Sequence, residues 1–517
     1  MCIENKELIK EISAKKNRML FHLMPPMGWM NDPNGLCLYK GYYHVFFQYS
    51  PDAVMGGLKL WGHYRSSDLL HWEYMGIAVY PNPKPEEADL YEKPDGEVEE
   101  RNVPGEYTTV DEDGAFSGCA FTEDGELEIF YTGNIEPAGD YDYTYNGREA
   151  NIIYIKSSDG INFSEKKVVL GTKDYPEFCT RHVRDPKVWK EGDTYYMVLG
   201  TRIGQAGNTD FATGETKDYG AVLIYSSKDK LNWTFEKSIT SPEKFGYMWE
   251  CPDYFSIDGV NVLACCPQGI KKEVYRYQNG DLAGYFIGQK FAEWDYGFDF
   301  YAPQTFMDNK GRRILIGWVG LPCPEYTNKA TIAEGWQHCL TVPRVVNVKC
   351  EGNAGEQVAK NSDSVENEVA GRVVLLQNPV EELEQLRTEK LTGETVENNF
   401  PVKINARAFD AVLSFSDGRE EKKISLGGSS GIDLEIRHKD GITELAFCSD
   451  AGEGRGLRRA VTGELRNIRI LKDVSIVECY VNDGEYVFTT RFYPEDVGYT
   501  ELNVVGKMDG FDVWKMQ

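Results

Sequence analysis

The chain has 517 residues and a formal net charge of −26, from 82 acidic and 56 basic side chains. This acidic balance argues against nucleic acid or an anionic membrane face as a partner, and a content of 41% hydrophobic and 13% aromatic residues excludes a disordered chain. The length exceeds what one hydrophobic core usually holds, so we expect two domains, one of them large.

The N-terminal segment alternates charged with isolated apolar residues and has no apolar run of the kind found in signal peptides. No other stretch approaches the ~20 apolar residues that a membrane helix needs. The twelve cysteines include no CxxC pair and the seven histidines no HExxH motif, so neither a metal nor an organic cofactor is expected. We therefore expect a cytoplasmic protein with free thiols, and the sequence leaves its oligomeric state unknown.

Five segments in the first two thirds of the chain repeat one pattern, in which an apolar strand, a glycine-bearing turn and an aromatic or β-branched strand follow a polar head. The heads begin at Asn31, Phe116, Arg184, Glu250 and Tyr301. Hairpins repeated at roughly even spacing indicate a radial all-β array. Closing such an array into a ring would bring all five heads together at one end of its axis.

A second repeat follows three of these hairpins. Its copies are SSDLLHW from Ser66, SSDGINF from Ser157 and SSKDKLNW from Ser226. Each ends in an aromatic residue, as expected for the outer strands of propeller blades that share one turn. The sequence thus predicts an all-β fold with a five-bladed β-propeller of four-stranded blades over residues 20–348.

Beyond the propeller the pattern changes twice. Residues 349–390 are mostly polar and predict a linker, with a short helix in PVEELEQLR. Alternation returns in residues 391–517, with a clear hairpin around Asn482 to Gly484. This region predicts a C-terminal β-sandwich packed on the propeller, with sugar binding by it as an alternative. The acidic, proline-rich segment 82–113 is either a solvated excursion or part of a pocket rim.

Three of the five heads carry carboxylates, namely Asp32, Asp185 and Glu250. Taken singly, the Asn-Asp-Pro-Asn-Gly and Arg-Asp-Pro segments are ordinary turn signals. Three acids facing one axis would repel one another, however, and such an arrangement persists where the chemistry uses it. Two carboxylates flanking a bond, one ionised and one protonated, are what glycoside hydrolysis requires.

The sequence neighbours of these acids suggest separate roles. Glu250 follows Trp249 and precedes a Cys-Pro pair, and apolar surroundings favour the protonated form that a general acid needs. Asp32 lies between an amide and a turn with backbone N–H donors, which favour the charged form that a nucleophile needs. Arg184 and Asp185 can hold sugar hydroxyls, so we assign Asp185 to substrate orientation and transition-state stabilisation.

Five ordered motifs resemble the signature blocks of glycoside hydrolase family 32, which contains invertases, sucrose-6-phosphate hydrolases and fructan exohydrolases. They are WMNDPNG from Trp29, FSG from Phe116, RDPK from Arg184, ECP from Glu250 and FYAPQ from Phe300. The resemblance implies a five-bladed propeller with a C-terminal β-sandwich. It also implies a retaining hydrolase that releases terminal β-D-fructofuranosyl units through a covalent fructosyl-enzyme intermediate.

By this resemblance Asp32 is the nucleophile, Glu250 the general acid/base and Asp185 the transition-state stabiliser. It further implies a fructose subsite made of Asn31, Gln48, Trp61, Phe116, Ser117, Arg184, Asp299, Tyr301 and Trp318. For Phe116 and Trp318, packing in a blade core is the alternative. The segment 82–113 is longer than the short turn usual in the family before FSG, and we expect it to alter the rim of the pocket where the leaving group lies.

Sucrose, sucrose 6-phosphate and short fructo-oligosaccharides are the fructosides open to a cytoplasmic enzyme. A phosphate would need a local cationic site, which Arg148, Arg181, His182 or Arg202 could supply, with ordinary surface charge as the alternative. A fructosyltransferase, in which a sugar resolves the intermediate, and a fructan exohydrolase are alternatives on the same scaffold. A non-catalytic sugar-binding propeller is the remote alternative, and the three acids argue against it.

Overall fold

The computed structural model describes residues 4–82, 110–271, 277–351, 372–392 and 399–517. Within these ranges the chain is nearly all-β, as predicted. The helices there are α1 (Lys6–Ser13), α2 (Lys329–Ile332) and the 3-10 helices Thr172–Asp174, Glu381–Leu386 and Asp450–Gly452. None of the helices in the described ranges is long and apolar enough to cross a membrane. Most of the acidic segment 82–113 lies outside the described residues.

Four consecutive antiparallel sheets begin the fold. The first contains β1 (Gly28–Tyr39), β2 (Tyr42–Ser50), β3 (Leu60–Ser66) and β4 (Trp72–Val79). The second contains β5 (Ala115–Glu123), β6 (Glu126–Ile135), β7 (Glu149–Ser157) and β8 (Lys167–Leu170). The third contains β9 (Cys179–Glu191), β10 (Thr194–Ile203), β11 (Tyr219–Ser227) and β12 (Thr234–Ile239). The fourth contains β13 (Met248–Ile257), β14 (Val260–Gln268), β15 (Gly284–Ile287) and β16 (Lys290–Glu293).

A fifth sheet follows, and one short strand returns to the first. The fifth contains β17 (Tyr301–Met307), β18 (Arg313–Trp318), β20 (Arg344–Glu351) and β21 (Arg372–Pro379). Between them, β19 (Trp336–Gln337) pairs parallel with β1. Residues 372–379 were predicted as linker, but RVVLLQNP is apolar and β-branched enough to pair with β20 along its whole length. The predicted short helix of PVEELEQLR lies at the 3-10 helix Glu381–Leu386.

Two six-stranded sheets form the C-terminal part. One has the order β22 (Arg387–Leu391), β33 (Met508–Met516), β24 (Ala408–Phe415), β29 (Asn467–Asp473), β30 (Ile476–Val481) and β31 (Tyr486–Arg491). The other has the order β23 (Asn399–Ile404), β32 (Thr500–Val505), β25 (Lys422–Gly428), β26 (Gly431–Lys439), β27 (Ile442–Phe447) and β28 (Leu457–Val461). Buried side chains of both sheets belong to a core that continues into the first, fourth and fifth sheets.

The first strands of the five N-terminal sheets are neighbours in a closed circle. Strand β1 contacts β5, β5 contacts β9, β9 contacts β13, β13 contacts β17, and β17 contacts β1 again. Each strand carries one of the repeated heads near its start. The heads therefore lie around one axis, although the first and the last of them, at Asn31 and Tyr301, are far apart in sequence.

Each of these first strands has a β-bulge at its head, where two residues oppose one residue of the second strand. The out-of-register pairs begin at Asn31, Phe116, Asp185, Cys251 and Ala302. Asp185, Cys251 and Ala302 have positive φ angles of 62°, 45° and 47°. Because a bulge re-aims side chains and interrupts the strict alternation of a strand, adjacent residues of one head can face the same side.

The second sequence repeat forms the turns that connect the third and fourth strands of three sheets. In each turn one aspartate accepts two backbone hydrogen bonds from the residues two and three positions later. The aspartates are Asp68, Asp159 and Asp229, with N···O distances of 2.8 to 2.9 Å. This shared Asx turn explains why the SSD and SKD segments recur at that place.

Buried charges join the N-terminal sheets to the C-terminal part. The guanidinium of Arg344 donates to Glu478 Oε2 at 2.5 and 3.0 Å and to Asp295 Oδ2 at 3.2 Å. The imidazole of His22 lies between Asp473 and Glu478, 2.9 Å from an oxygen of each. All five side chains are buried. Removing one partner of such a network typically costs about 3–5 kcal/mol, because an uncompensated charge stays buried.

Candidate active site

A cavity of about 280 Å³ opens where the five heads converge. Its lining contains Trp29, Asn31, Asp32, Gln48, Lys59, Phe116, Ser117, Arg148, Arg184, Asp185, Glu250, Gln268, Tyr301, Trp318 and Pro322. The three predicted acids therefore line one cavity, as do seven of the nine residues predicted for the fructose subsite. The bulges explain how neighbouring pairs such as Asn31 and Asp32 both reach it.

Asp32 accepts hydrogen bonds on both carboxylate oxygens. Ser117 Oγ donates to Oδ2 at 2.5 Å, Asn31 Nδ2 donates to Oδ1 at 3.1 Å, and Cys251 Sγ lies 3.6 Å from Oδ2. These side-chain donors favour the charged form, but burial outweighs them, so the surroundings of Asp32 taken together do not favour the charged form as the sequence predicted. Burial, with the nearby Glu250 carboxylate, raises the pKa of Asp32 above its ordinary value.

Asp185 lies deeper, with 5% of its surface exposed. Its Oδ2 accepts from the backbone N–H of Cys251 at 2.9 Å, and its own N–H donates to Thr132 Oγ1 at 2.9 Å. Burial raises the pKa of Asp185 to about 7; Arg184 acts in the opposite direction, while the Glu250 and Asp32 charges raise it further. The carboxyl group is thus fixed in place and close to titration at neutral pH.

Glu250 lies in polar surroundings, which corrects the prediction made from its sequence neighbours. Arg184 donates to its Oε1 at 2.6 Å through Nη2 and at 3.2 Å through Nε, and the Tyr301 hydroxyl donates to Oε2 at 2.8 Å. The indole of Trp249 points away, donates to the Phe245 carbonyl at 2.6 Å and packs on Phe286. Successive residues of a strand face opposite sides, so an apolar neighbour in sequence does not surround the acid.

A chain of amides and one hydroxyl connects the first two heads. Asn31 Nδ2 donates to Gln48 Oε1 at 2.5 Å, Gln48 Nε2 donates to Ser117 Oγ at 2.8 Å, and Ser117 in turn donates to Asp32. Trp29 Nε1 donates to Asn31 Oδ1 at 2.8 Å and fixes the start of the chain. Because each donor already has an assigned acceptor, the Asp32 carboxylate is held in one orientation.

Close packing between β5 and β6 explains why the FSG motif ends in glycine. A Cβ atom on Gly118 would lie 2.0 Å from the Phe130 carbonyl oxygen and 2.5 Å from Tyr131 Cα. Such approaches to backbone atoms leave no room for any side chain. The glycine lets β5 approach β6 closely where Phe116 and Ser117 turn toward the cavity.

Two predicted subsite residues do not line the cavity. Trp61 is fully buried, packs against Phe46 and Tyr131, and donates from Nε1 to the Phe116 carbonyl at 3.0 Å. It therefore supports Phe116 from behind. Asp299, 1% exposed, accepts two hydrogen bonds of 2.8 Å from Arg455 at the junction with the C-terminal part.

The cavity also contains residues that were not predicted for the fructose subsite. Trp29 was within a quoted motif, whereas Lys59, Gln268 and Pro322 belong to no motif, and a single residue of these types carries no signal in one sequence. Lys59 Nζ lies 5.0 Å from the centre of the Trp29 ring and 3.4 Å from Ser50 Oγ. Burial lowers the pKa of Lys59 to about 8, against the opposing effect of Asp32.

Of the four residues considered for a phosphate, only Arg148 lines the cavity. His182 Nδ1 accepts from Arg148 at 3.1 Å and from Arg184 at 2.7 Å. Burial, with these two guanidinium groups and Arg202, lowers the pKa of His182 well below its ordinary value, so the imidazole is neutral and can accept both bonds. Arg148 also pairs with Glu136. This cluster brings two cations to the Glu250 side of the cavity.

Comparisons with known proteins agree with this geometry. The model of the glycosyl hydrolases family 32 N-terminal domain matches residues 22–91 and 104–360. The model of the family 32 C-terminal domain matches residues 382–515.

Individual relatives match along nearly their whole length. A sucrose-6-phosphate hydrolase of Bacillus subtilis is 33% identical, with 97% of this chain and 96% of that protein covered. A raffinose invertase of Escherichia coli is 32% identical, with 94% and 92% covered. The solved structure of a Bombyx mori GH32 beta-fructofuranosidase superimposes with a TM-score of 0.73 at 26% identity, with 99% of this chain and 98% of that chain covered.

Proposed function

The chain belongs to glycosyl hydrolase family 32, and on that premise we propose that it hydrolyses fructosides and releases terminal non-reducing β-D-fructofuranosyl units. Its substrates are sucrose, sucrose 6-phosphate or short fructo-oligosaccharides. The observation that carries the proposal is that Asp32 and Glu250 line one cavity with different partners. Asp32 is held by Ser117 and Asn31, whereas Glu250 contacts Arg184 and Tyr301.

The reaction follows from these two carboxyl groups. An ionised Asp32 oxygen attacks the anomeric carbon of the fructosyl unit, while Glu250 gives its proton to the glycosidic oxygen as the bond to the leaving sugar breaks. Water then attacks the same carbon, loses its proton to Glu250 and releases Asp32. Asp185 stabilises the positive charge that develops on the ring, and the backbone N–H of Cys251 keeps its carboxyl group in position.

We further propose the predicted architecture, a five-bladed propeller with a C-terminal β-sandwich. The closed circle of β1, β5, β9, β13 and β17 supports the propeller, and the two six-stranded sheets support the sandwich. The pairing of β20 with β21 extends the fifth blade to Pro379. The eleven cysteines in the described part of the chain are free thiols, which supports a cytoplasmic location.

The leaving-group sugar distinguishes the candidate substrates. Lys59 and Arg148 line the cavity and could meet a phosphate on that sugar. Relatives named as sucrose-6-phosphate hydrolases support this possibility, and the raffinose invertase supports a neutral substrate. A comparison of kcat/KM for sucrose, sucrose 6-phosphate and 1-kestose decides between them.

The decisive experiment replaces the nucleophile. We expect Asp32→Ala to lower kcat for sucrose by at least about 10³-fold, since the covalent intermediate cannot form. Asp159→Ala, which removes an aspartate from an exposed Asx turn, is the matched control and retains turnover. Sucrose turnover by Asp32→Ala at the wild-type level would overturn the mechanism. Predominant kestose-type products with little free fructose at high sucrose would replace hydrolase with fructosyltransferase.

A further inference from the structure

A buried histidine lies behind the catalytic cavity, where the first and the fifth sheets meet. His338 directly follows β19, which pairs with β1 so that Gln337 lies opposite Trp29. On the other side, directly after β18, the Val319 N–H donates to the Cys339 carbonyl at 2.9 Å. Only 3% of the His338 surface is exposed. The imidazole is therefore enclosed between the two sheets that close the circle.

The His338 ring contacts two aromatic residues that line the catalytic cavity. The ring centre lies 4.3 Å from that of Trp29 and 5.0 Å from that of Trp318, with interplanar angles of 79° and 78°. The centres of the two indoles are 6.0 Å apart. Because edge-to-face contacts between aromatic rings have a specific geometry, the imidazole fixes the orientation of both indoles.

The first indole leads to the proposed nucleophile. Trp29 Nε1 donates to Asn31 Oδ1 at 2.8 Å, and Asn31 Nδ2 donates to Asp32 Oδ1 at 3.1 Å. We call Trp29 and Asn31 the nucleophile arm. A rotation of the Trp29 ring would withdraw its N–H from Asn31, and the amide would then be free to turn away from the carboxylate.

The second indole leads to the proposed general acid/base. The Trp318 ring contacts the Tyr301 ring edge-to-face, with the centres 6.3 Å apart and an interplanar angle of 84°. The Tyr301 hydroxyl donates to Glu250 Oε2 at 2.8 Å. We call Trp318 and Tyr301 the acid arm. His338 thus lies between two chains of contacts, each of which ends at one of the two carboxyl groups.

Two unfavourable features accompany His338. Its φ angle is 72°, which is uncommon for a residue with a side chain. Its Nδ1 donates to the Val319 carbonyl at 3.3 Å, but Nε2 is buried and has no hydrogen-bond partner within the described residues. Burial lowers the pKa of His338 to about 3, so the ring is neutral. Backbone strain and unpaired buried polar atoms are found most often at functional sites.

We propose that His338 is a positioning residue for fructoside hydrolysis, whose imidazole holds the nucleophile arm and the acid arm in fixed relation to each other. This inference rests on the proposed function. His338 itself does not line the catalytic cavity, so it acts through the two indoles. Asp32 and Glu250 must flank one glycosidic bond at the same time. A single ring in contact with both arms fixes the placement of one carboxyl group relative to the other.

Removal of the imidazole tests the proposal. His338→Asn introduces a side chain that tolerates a positive φ angle, and His338→Gly relieves the backbone strain. We expect both to lower kcat for sucrose about tenfold with little change in KM, because misplaced carboxyl groups lose contacts made in the transition state. His438→Asn is the matched control and retains kcat, since His438 is also buried with an unpartnered Nε2 within the described residues. Unchanged kcat, or loss of folding in both His338 variants, overturns the proposal.

Interruption of both arms separates positioning from a merely structural role. Trp29→Phe removes the N–H donor to Asn31, and Tyr301→Phe removes the hydroxyl donor to Glu250. In the protein that carries both changes, we expect His338→Asn to lower kcat less than twofold, because the ring no longer acts on either carboxyl group. A further tenfold loss in this background would show that His338 acts by another route, and it would overturn the proposal.

A crystal structure of the His338→Gly variant tests the geometry without turnover. We expect the distances from Trp29 Nε1 to Asn31 Oδ1 and from the Tyr301 hydroxyl to Glu250 Oε2 to exceed about 3.5 Å, beyond hydrogen-bond length. Both bonds at their original lengths refute the positioning role. Absence of fructoside hydrolysis by the wild type would refute the proposed function instead, and this crystal structure would still decide the role of His338.

Discussion

The hydrogen bond from Ser117 to Asp32 sets the pH range in which the nucleophile is charged. Ser117 Oγ lies 2.5 Å from Asp32 Oδ2 and is itself positioned by Gln48 Nε2 at 2.8 Å. Only 1% of the Ser117 surface is exposed, so water competes little for this bond. Ser117→Ala removes the strongest donor to the carboxylate and leaves the steric frame of the cavity in place.

The size of the effect follows from the kind of bond. A hydrogen bond to a charged group contributes about 1.5–3 kcal/mol, and we take the lower end because Asn31 continues to donate to Oδ1. A loss of about 1.5 kcal/mol moves a titration by about one pH unit. The bond favours the ionised form, so its loss raises the pKa of Asp32. The acid limb of kcat/KM should then move upward by about one pH unit.

The assay is the pH dependence of kcat/KM for sucrose in the wild type and in three variants. Cys251→Ala should move the acid limb less than Ser117→Ala does, because a thiol 3.6 Å away is a weak donor. Ser157→Ala is the control. Ser157 is the last residue of β7, and its buried hydroxyl donates to Asp159 in an outer Asx turn rather than to a residue of the catalytic cavity. An acid limb that is unchanged in Ser117→Ala would refute the assignment of Asp32 as the ionised nucleophile.

Two further predictions concern the junction between the two parts. Asp299→Asn removes the negative charge that pairs with the buried Arg455, and should lower the free energy of unfolding in urea by about 3–5 kcal/mol. A raised KM with unchanged stability would instead favour contact with substrate. Burial of His22 disfavours its charged form. The hydrogen bonds to Asp473 and Glu478 outweigh this effect and raise the pKa of His22 above its ordinary value. This stabilisation is complete below the unfolded pKa of about 6.5 and is lost as the pH rises through the folded value. Wild type should therefore lose more stability than His22→Gln between pH 6 and pH 9, and equal losses would contradict the model.

Much of the fold could be predicted from local sequence patterns. The five heads and the three Asx turns repeat because each sheet needs the same turn at the same place, so a single sequence shows them. The outer strand β21 was missed because a polar stretch precedes it and its partner β20 closes no visible hairpin. Pairing across such a gap depends on tertiary contacts that local pattern does not contain.

Sequence motifs predicted the site residues that lie within them, but not the residues that lie between motifs. Asp32, Asp185 and Glu250 line one cavity. The prediction of apolar surroundings for Glu250 was wrong, because the alternation of side chains along the strand places Trp249 on the opposite face. Lys59 shows the other limit. A lone lysine becomes a cavity residue only through the path of the chain between β2 and β3.

The closed circle of first strands has a consequence for how the protein is made. Contact between β1 and β17 joins residues that leave the ribosome far apart in time, since synthesis proceeds at about 5–20 residues per second. Asp32 emerges early, but Tyr301, which holds Glu250, emerges only with the fifth sheet. A nascent chain therefore carries its nucleophile long before it can complete the catalytic cavity, and the onset of fructoside hydrolysis would report closure of the ring during translation.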